Sequence, residues 1–158
     1  MGGVGTRTWI DNLLWHHGCH QVDASLWVLD LPAITRLQAL LGLPHPTFGM
    51  ALDVGVQMLT ADGVLITHSL SYNVEQGVQR LQFIGHEDVL TYEDGGLTSE
   101  RGEILIPKSP ANDLTAQNRE LLQAFQTQGH CEFELATVLP TMEVLGRAQA
   151  AAESSTTY

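Results

Sequence analysis

MALDVGVQMLT (residues 50–60) and VLITHSLSYN (residues 64–73), joined by Ala61-Asp62-Gly63, read as a β-hairpin: two long strand-like runs either side of a turn-forming tripeptide. In the second run Leu65, Thr67, Ser69 and Ser71 alternate with Ile66, His68, Leu70 and Tyr72. The two-residue period of a strand puts small hydroxylated side chains on one face and bulk on the other, and the bulky face needs a covering layer. Upstream, residues 33–41 (AITRLQALL) suit either helix or strand, and the neighbouring hairpin favours a strand. Downstream, shorter strands are expected at 78–84 (VQRLQFI), 88–92 (DVLTY) and 103–106 (EILI), with Gly85 and Gly95-Gly96 at the breaks.

Helical periodicity flanks this block on both sides. From Asp11, a suitable N-cap, Trp15, Cys19, Val22, Leu26 and Leu29 recur as a buried stripe until Leu31-Pro32 stops the helix. His16, His20, Asp23 and Trp27 follow the same spacing on another face. Gly18 inside this helix costs about 1 kcal/mol relative to alanine, which suggests that something approaches the backbone there. Near the other end, Asn112 or Asp113 caps a helix with Leu114, Leu121, Leu122 and Phe125 on one face, stopped by Gly129. Thr137 caps the last helix, with Pro140 in its first turn and Met142, Leu145 and Gln149 following. The expected fold class is α+β: helices on one face of an open, mostly antiparallel sheet. The 158 residues suffice for one core, so a single domain over 1–158 is expected.

Seven basic against 18 acidic residues give a formal charge of −11, which repels phosphate backbones and anionic membranes. Nucleic acid and membrane surfaces are therefore excluded as partners, and no run approaches the roughly 20 apolar residues of a membrane span. Cys19 and Cys131 form no repeated pair and the first residues carry no apolar leader core, so a reducing cytoplasm is the expected location. Lys108, the sole lysine, lies in a proline-flanked loop and is a weak Schiff-base candidate. The opening MGGVG contains G-x-G, but a helix follows where a dinucleotide fingerprint needs a strand before it and a third glycine after.

The chemistry concentrates in LLWHHGCHQVD, residues 13–23. His16 and His20, four apart on one helix face, are candidate acid/base residues near neutral pH, with Asp23 one turn on to fix a tautomer. The same spacing suits zinc, but the H-E-x-x-H form is absent and a third ligand would have to come from Cys19, Asp23 or His68, so a metal-dependent hydrolase or isomerase is a minor alternative. His17 reads as structural. Trp9, Trp15 and Trp27 read as core or interface anchors. His68 and Tyr72 share a strand face and either complete a pocket or, for His68, form a satisfied buried histidine. Arg7 offers a planar fork for a carboxylate, with a solvated surface arginine as the equal alternative.

The segment His16-His17-Gly18-Cys19-His20-Gln21-Val22-Asp23 resembles the D-x-G-x-H-x-x-D motif of the Gfo/Idh/MocA oxidoreductase C-terminal domain, matching its glycine, second histidine and final aspartate. NRELLQAFQTQGHCEF (118–133) and AAAESS (150–155) resemble that family's closing segment and terminal helix. RTWIDNLLWHHGCH (7–20) and the hairpin are especially similar to members that oxidise the cyclic hemiacetal of 4-carboxy-2-hydroxymuconate semialdehyde with NADP, in aromatic degradation. The resemblance implies an NAD(P)-dependent oxidoreductase acting on a carboxylated or polyol-like small molecule. It implies His20 as base assisted by His16, where most of the family has aspartate, and Arg7 near the substrate. It also implies a homodimer through the open sheet face, whose apolar surface would exceed what a monomer exposes. The family's Rossmann domain and its Glu-Lys-Pro lysine have no counterpart here, so no cofactor is expected on this chain alone; NAD(P) is expected if it joins a Rossmann partner. The rival is a cofactor-free binding module or scaffold.

Overall fold

The computed structural model describes residues 13–73, 75, 77–108, 114–127, 129 and 135–155. Arg7, Trp9, Asp11, Asn112, Asp113 and Cys131 lie outside these residues. The elements run in chain order as a π-helical turn Leu14–Gly18, α1 (Cys19–Val28), β1 (Ile34–Leu41), β2 (Asp53–Thr60), β3 (Leu65–Ser71), β4 (Arg80–Ile84), β5 (Val89–Glu93), β6 (Gly96–Ser99), β7 (Ile104–Ile106), α2 (Leu114–Thr127), a 3₁₀ turn Leu135–Val138, and α3 (Leu139–Ser155). The chain divides into two compact units, Met1–Val74 with Glu134–Tyr158, and Glu75–Phe133.

In the first unit β1, β2 and β3 form an antiparallel sheet in that order. The expected hairpin is present, and its register sets the two faces: Val54 opposes Leu70, Val56 opposes His68 and Met58 opposes Ile66 on the buried side. Gly55 opposes Ser69 and Gln57 opposes Thr67 on the other. Buried Thr60 closes the turn, its hydroxyl accepting the Val64 N–H at 2.8 Å and bonding Asp62, while Gly63 takes φ +92°. That hydroxyl adds to the backbone bonds that close the turn, from the Gly63 N–H to the Thr60 carbonyl at 3.2 Å and from the Thr60 N–H to the Val64 carbonyl at 3.0 Å.

Leu13, Leu14, Val22 and Leu26 of the first helix and Val144, Leu145, Ala148 and Ala152 of α3 pack on the buried face as one core. Each fully buried leucine contributes about 1.5–3 kcal/mol. The first helix stops at two successive left-handed residues, Asp30 (φ 58°) and Leu31 (φ 53°), with the Leu31 N–H bonded to the Leu26 carbonyl at 2.7 Å. Pro32 then prevents continuation. On α3 the inward residues are Thr141, Val144, Leu145, Ala148 and Ala152, whereas Met142 is exposed. The sheet's opposite face carries exposed Gln38, Gln57, Thr67, Ser69 and Ser71 beside Leu40 and Leu65, each 66% exposed. It is thus mixed and largely polar, not the apolar surface expected, because the small hydroxylated side chains of β3 face outward together with the glutamines of β1 and β2.

The second unit is an antiparallel meander, β4-β5-β6-β7, together with α2. Asp94 (φ 51°) and Gly95 (φ 75°) make the two-residue turn between β5 and β6, both in the left-handed region that a tight hairpin demands. Gly96, expected to be part of the break, instead begins a strand missed in the sequence. It is buried, and a Cβ there would stand 2.7 Å from Lys108 Cγ and 3.0 Å from the Lys108 backbone nitrogen. Gly96→Ala is therefore expected to cost about 1–3 kcal/mol by displacing the Lys108 backbone. Urea unfolding reads this directly, and an unchanged midpoint would contradict the close approach. On α2, Leu121, Leu122 and Phe125 are exposed, Phe125 at 84%, and the Gly129 N–H bonds the Ala124 carbonyl at 3.0 Å. No helix of the described residues is long and apolar enough to cross a membrane.

Candidate functional site

The π turn at Leu14–Gly18 decides how the histidines are presented. Its wider i→i+5 winding reduces the rotation between successive residues, so neighbours that diverge on an α-helix come closer together. His16 and His17 accordingly stack, ring centroids 4.8 Å apart and planes within 7°. Both meet Tyr72 at the end of β3: its hydroxyl lies 2.6 Å from His16 Nδ1 and 2.8 Å from His17 Nδ1. Tyr72 is fixed in turn by its N–H bond to the Leu52 carbonyl at 2.8 Å and by contact with the core. Both imidazoles are exposed, as is His20 one turn later. The stacked pair is thus His16 with His17, where the spacing had pointed to His16 with His20. His17, read above as structural, belongs to the group, because an i,i+4 argument assumes an uninterrupted α-helix.

The other candidates separate from this group. Asp23 accepts a hydrogen bond from Thr141 Oγ1 at 2.6 Å, tying α1 to α3, in place of the expected bond to His20. Buried Thr141 was missed, although it falls in phase with Leu145, Ala148 and Ala152 as the one polar residue of that stripe. His68, 5% exposed, faces Ser25 with Nε2 3.3 Å from its hydroxyl oxygen. Burial pushes its pKa down to about 4. It is the satisfied buried histidine of the two readings.

Cys19 is half-buried, and burial pushes its thiol above the ordinary range, so it is held as a thiol at neutral pH. Among the described residues no group of three or more His, Cys, Asp or Glu is placed to hold a metal ion. Gly18 is buried, and a Cβ there would meet Leu14 Cδ1 at 3.3 Å, so the close neighbour is the helix's own leucine. Trp15 donates its indole N–H to Gln149 and packs on the core, whereas Trp27 is 69% exposed.

In the second unit Lys108 lies 3.1 Å from Glu93 and 2.9 Å from Asp94. These carboxylates hold its ammonium above the usual range, and hydrogen bonds from Arg80 and Lys108 hold Glu93 below its own. A lysine kept charged in this way is a poor amine nucleophile. All strand pairs among the described residues are antiparallel, so they form no parallel βαβ unit of the kind that cradles a nicotinamide dinucleotide.

Residues 2–103 match the family described as bacterial oxidoreductases, C-terminal. The chain is 29% identical over 144 residues to the 4-carboxy-2-hydroxymuconate-6-semialdehyde dehydrogenase of Sphingobium sp. (strain NBRC 103272 / SYK-6), covering 89% of this chain and 45% of that protein. Among solved structures, the UDP-N-acetylglucosamine 3-dehydrogenase GnnA from Acidithiobacillus ferrooxidans superposes with a TM-score of 0.75 at 13% identity, over 86% of this chain and 45% of that one. An oxidoreductase from Agrobacterium radiobacter, in complex with NAD+, L-tartaric acid and magnesium, gives 0.75 at 16% identity, over 90% and 47%. At these identities the structures show the shared α+β fold, and the chain spans less than half the length of each of these relatives. The match over residues 2–103, well over half of its length, shows that the chain belongs to the family of bacterial oxidoreductase C-terminal domains.

Proposed function

We propose that this chain is the substrate-binding half of an NAD(P)-dependent dehydrogenase that oxidises a hydroxyl or cyclic hemiacetal, with the dinucleotide held by a separate Rossmann half. The observation that carries this reading is the exposed imidazole group, His16, His17 and His20, on the helix that bears the G-x-H-x-x-D portion of the family motif. Oxidising a hydroxyl requires a base for its proton while hydride leaves, and imidazole is suited to that task near neutral pH. His20 is the proposed base, His16 polarises the substrate oxygen, and Asp23 anchors this helix to α3 through Thr141. Arg7, a few residues ahead of the helix, is the proposed carboxylate ligand. The dehydrogenase relative supports a carboxylated hemiacetal of the 4-carboxy-2-hydroxymuconate semialdehyde type as substrate. Self-association through the sheet face that exposes Leu40 and Leu65 is the proposed assembly, expected as a single species of twice the chain mass.

The test is a fusion of this chain to the N-terminal half of that relative, with nicotinamide reduction followed on addition of the hemiacetal. Turnover by the fusion, and none by either half, is expected. A folded fusion that binds nicotinamide and leaves the substrate untouched would overturn the dehydrogenase reading in favour of a cofactor-free binding module.

A further inference from the structure

We infer that Tyr72 and His17 are positioning residues: they form a directional hydrogen-bond chain that holds His16 with its proton on the outward nitrogen, Nε2. The inference rests on the reading above, in which His16 polarises a substrate oxygen. A phenol has one proton and can donate to at most one of two imidazole nitrogens, so the other nitrogen must itself carry hydrogen if both contacts are hydrogen bonds. The two distances assign the direction. Hydroxyl donors make shorter bonds than N–H donors, and the phenol is 2.6 Å from His16 Nδ1 but 2.8 Å from His17 Nδ1.

His17 therefore donates from Nδ1 to the Tyr72 oxygen, and Tyr72 donates to Nδ1 of His16. An imidazole that accepts at Nδ1 carries its hydrogen on Nε2, so His16 presents an N–H donor to solvent, or to a substrate oxygen. His17 presents a bare Nε2 acceptor beside it. The stacking of the two rings, 4.8 Å between centroids, keeps that donor and acceptor side by side. Successive bonds of this kind polarise one another, which strengthens the outward donor. The three residues occupy one compact unit, with Tyr72 directly after the last residue of β3 and both imidazoles on the π turn, so the hydrogen-bond chain does not depend on a second domain.

The test is two-bond ¹H–¹⁵N correlation spectroscopy of the 158-residue chain, above the range where free imidazole protonates, comparing wild type with Tyr72→Phe. Wild type is expected to show opposite tautomers, Nε2–H at His16 and Nδ1–H at His17. In Tyr72→Phe, His17 is expected to shift its population toward Nε2–H. The same tautomer on both rings of the wild type overturns the inference whether or not the variant folds, and so does a His17 signature that Tyr72→Phe leaves unchanged. Opposite tautomers together with an inactive fusion would instead retain the hydrogen-bond chain and discard the dehydrogenase reading.

Discussion

Replacing His20 with alanine is expected to lower turnover of the active fusion by about 10²- to 10⁴-fold, the usual consequence of losing a general base. His20 is exposed, so the loss should fall on chemistry and leave the fold intact. Circular dichroism and the urea midpoint are therefore expected to match wild type, with kcat reduced far more than KM is raised. A smaller drop is expected for His16→Ala, since in the proposed mechanism that imidazole assists without taking the proton. If His20→Ala turns over at the wild-type rate, His20 has no part in the mechanism.

A second large effect concerns acid stability. His68 is buried against Ser25 and its pKa is pushed down to about 4, whereas in the unfolded chain it titrates near the reference value of about 6.5. Above that value both states are neutral at His68, and it contributes no pH dependence. As pH falls, the unfolded chain binds the proton first, so stability declines until the folded protein also protonates near pH 4. This one residue should remove roughly 3 kcal/mol across that window. His68→Gln retains a hydrogen-bonding group toward Ser25 and cannot titrate. The difference in urea midpoint between variant and wild type should therefore move in the variant's favour as pH is lowered from neutral. A constant difference would show that His68 gains its proton in the folded state as readily as in the unfolded one.

Much of the architecture was legible because period-two patterning and turn chemistry are local. The Ala61-Asp62-Gly63 turn and the two faces of β3 follow from residues within reach of one another, whereas the strand at 34–41 fits either periodicity by itself and was settled by the hairpin beside it. β6 escaped because Gly95 and Gly96 look alike in sequence. Only the packing of Lys108 against Gly96 shows that the second glycine opens a strand. The histidine cluster was recognised but its pairing was not, since a π turn leaves no mark in composition or spacing, and it exchanges the His16–His20 pair for His16–His17. Tyr72 could be placed on the correct face but not joined to two imidazoles more than 50 positions away. Asp23 was assigned to its own helix neighbour because the partner that holds it, Thr141, lies 118 residues further on.

The central claim is that the exposed imidazole face of the first helix is where substrate meets this chain. Its most direct measurement is the imidazole NMR spectrum of the isolated chain, titrated with the carboxylated cyclic hemiacetal. Saturable shifts at His16, His17 and His20, with buried His68 unmoved, are the predicted result. Shifts confined to the depression formed by Gly85, His86, Glu87, Asp88, Glu100 and Arg101 in the second unit, with the first-helix histidines silent, would contradict it.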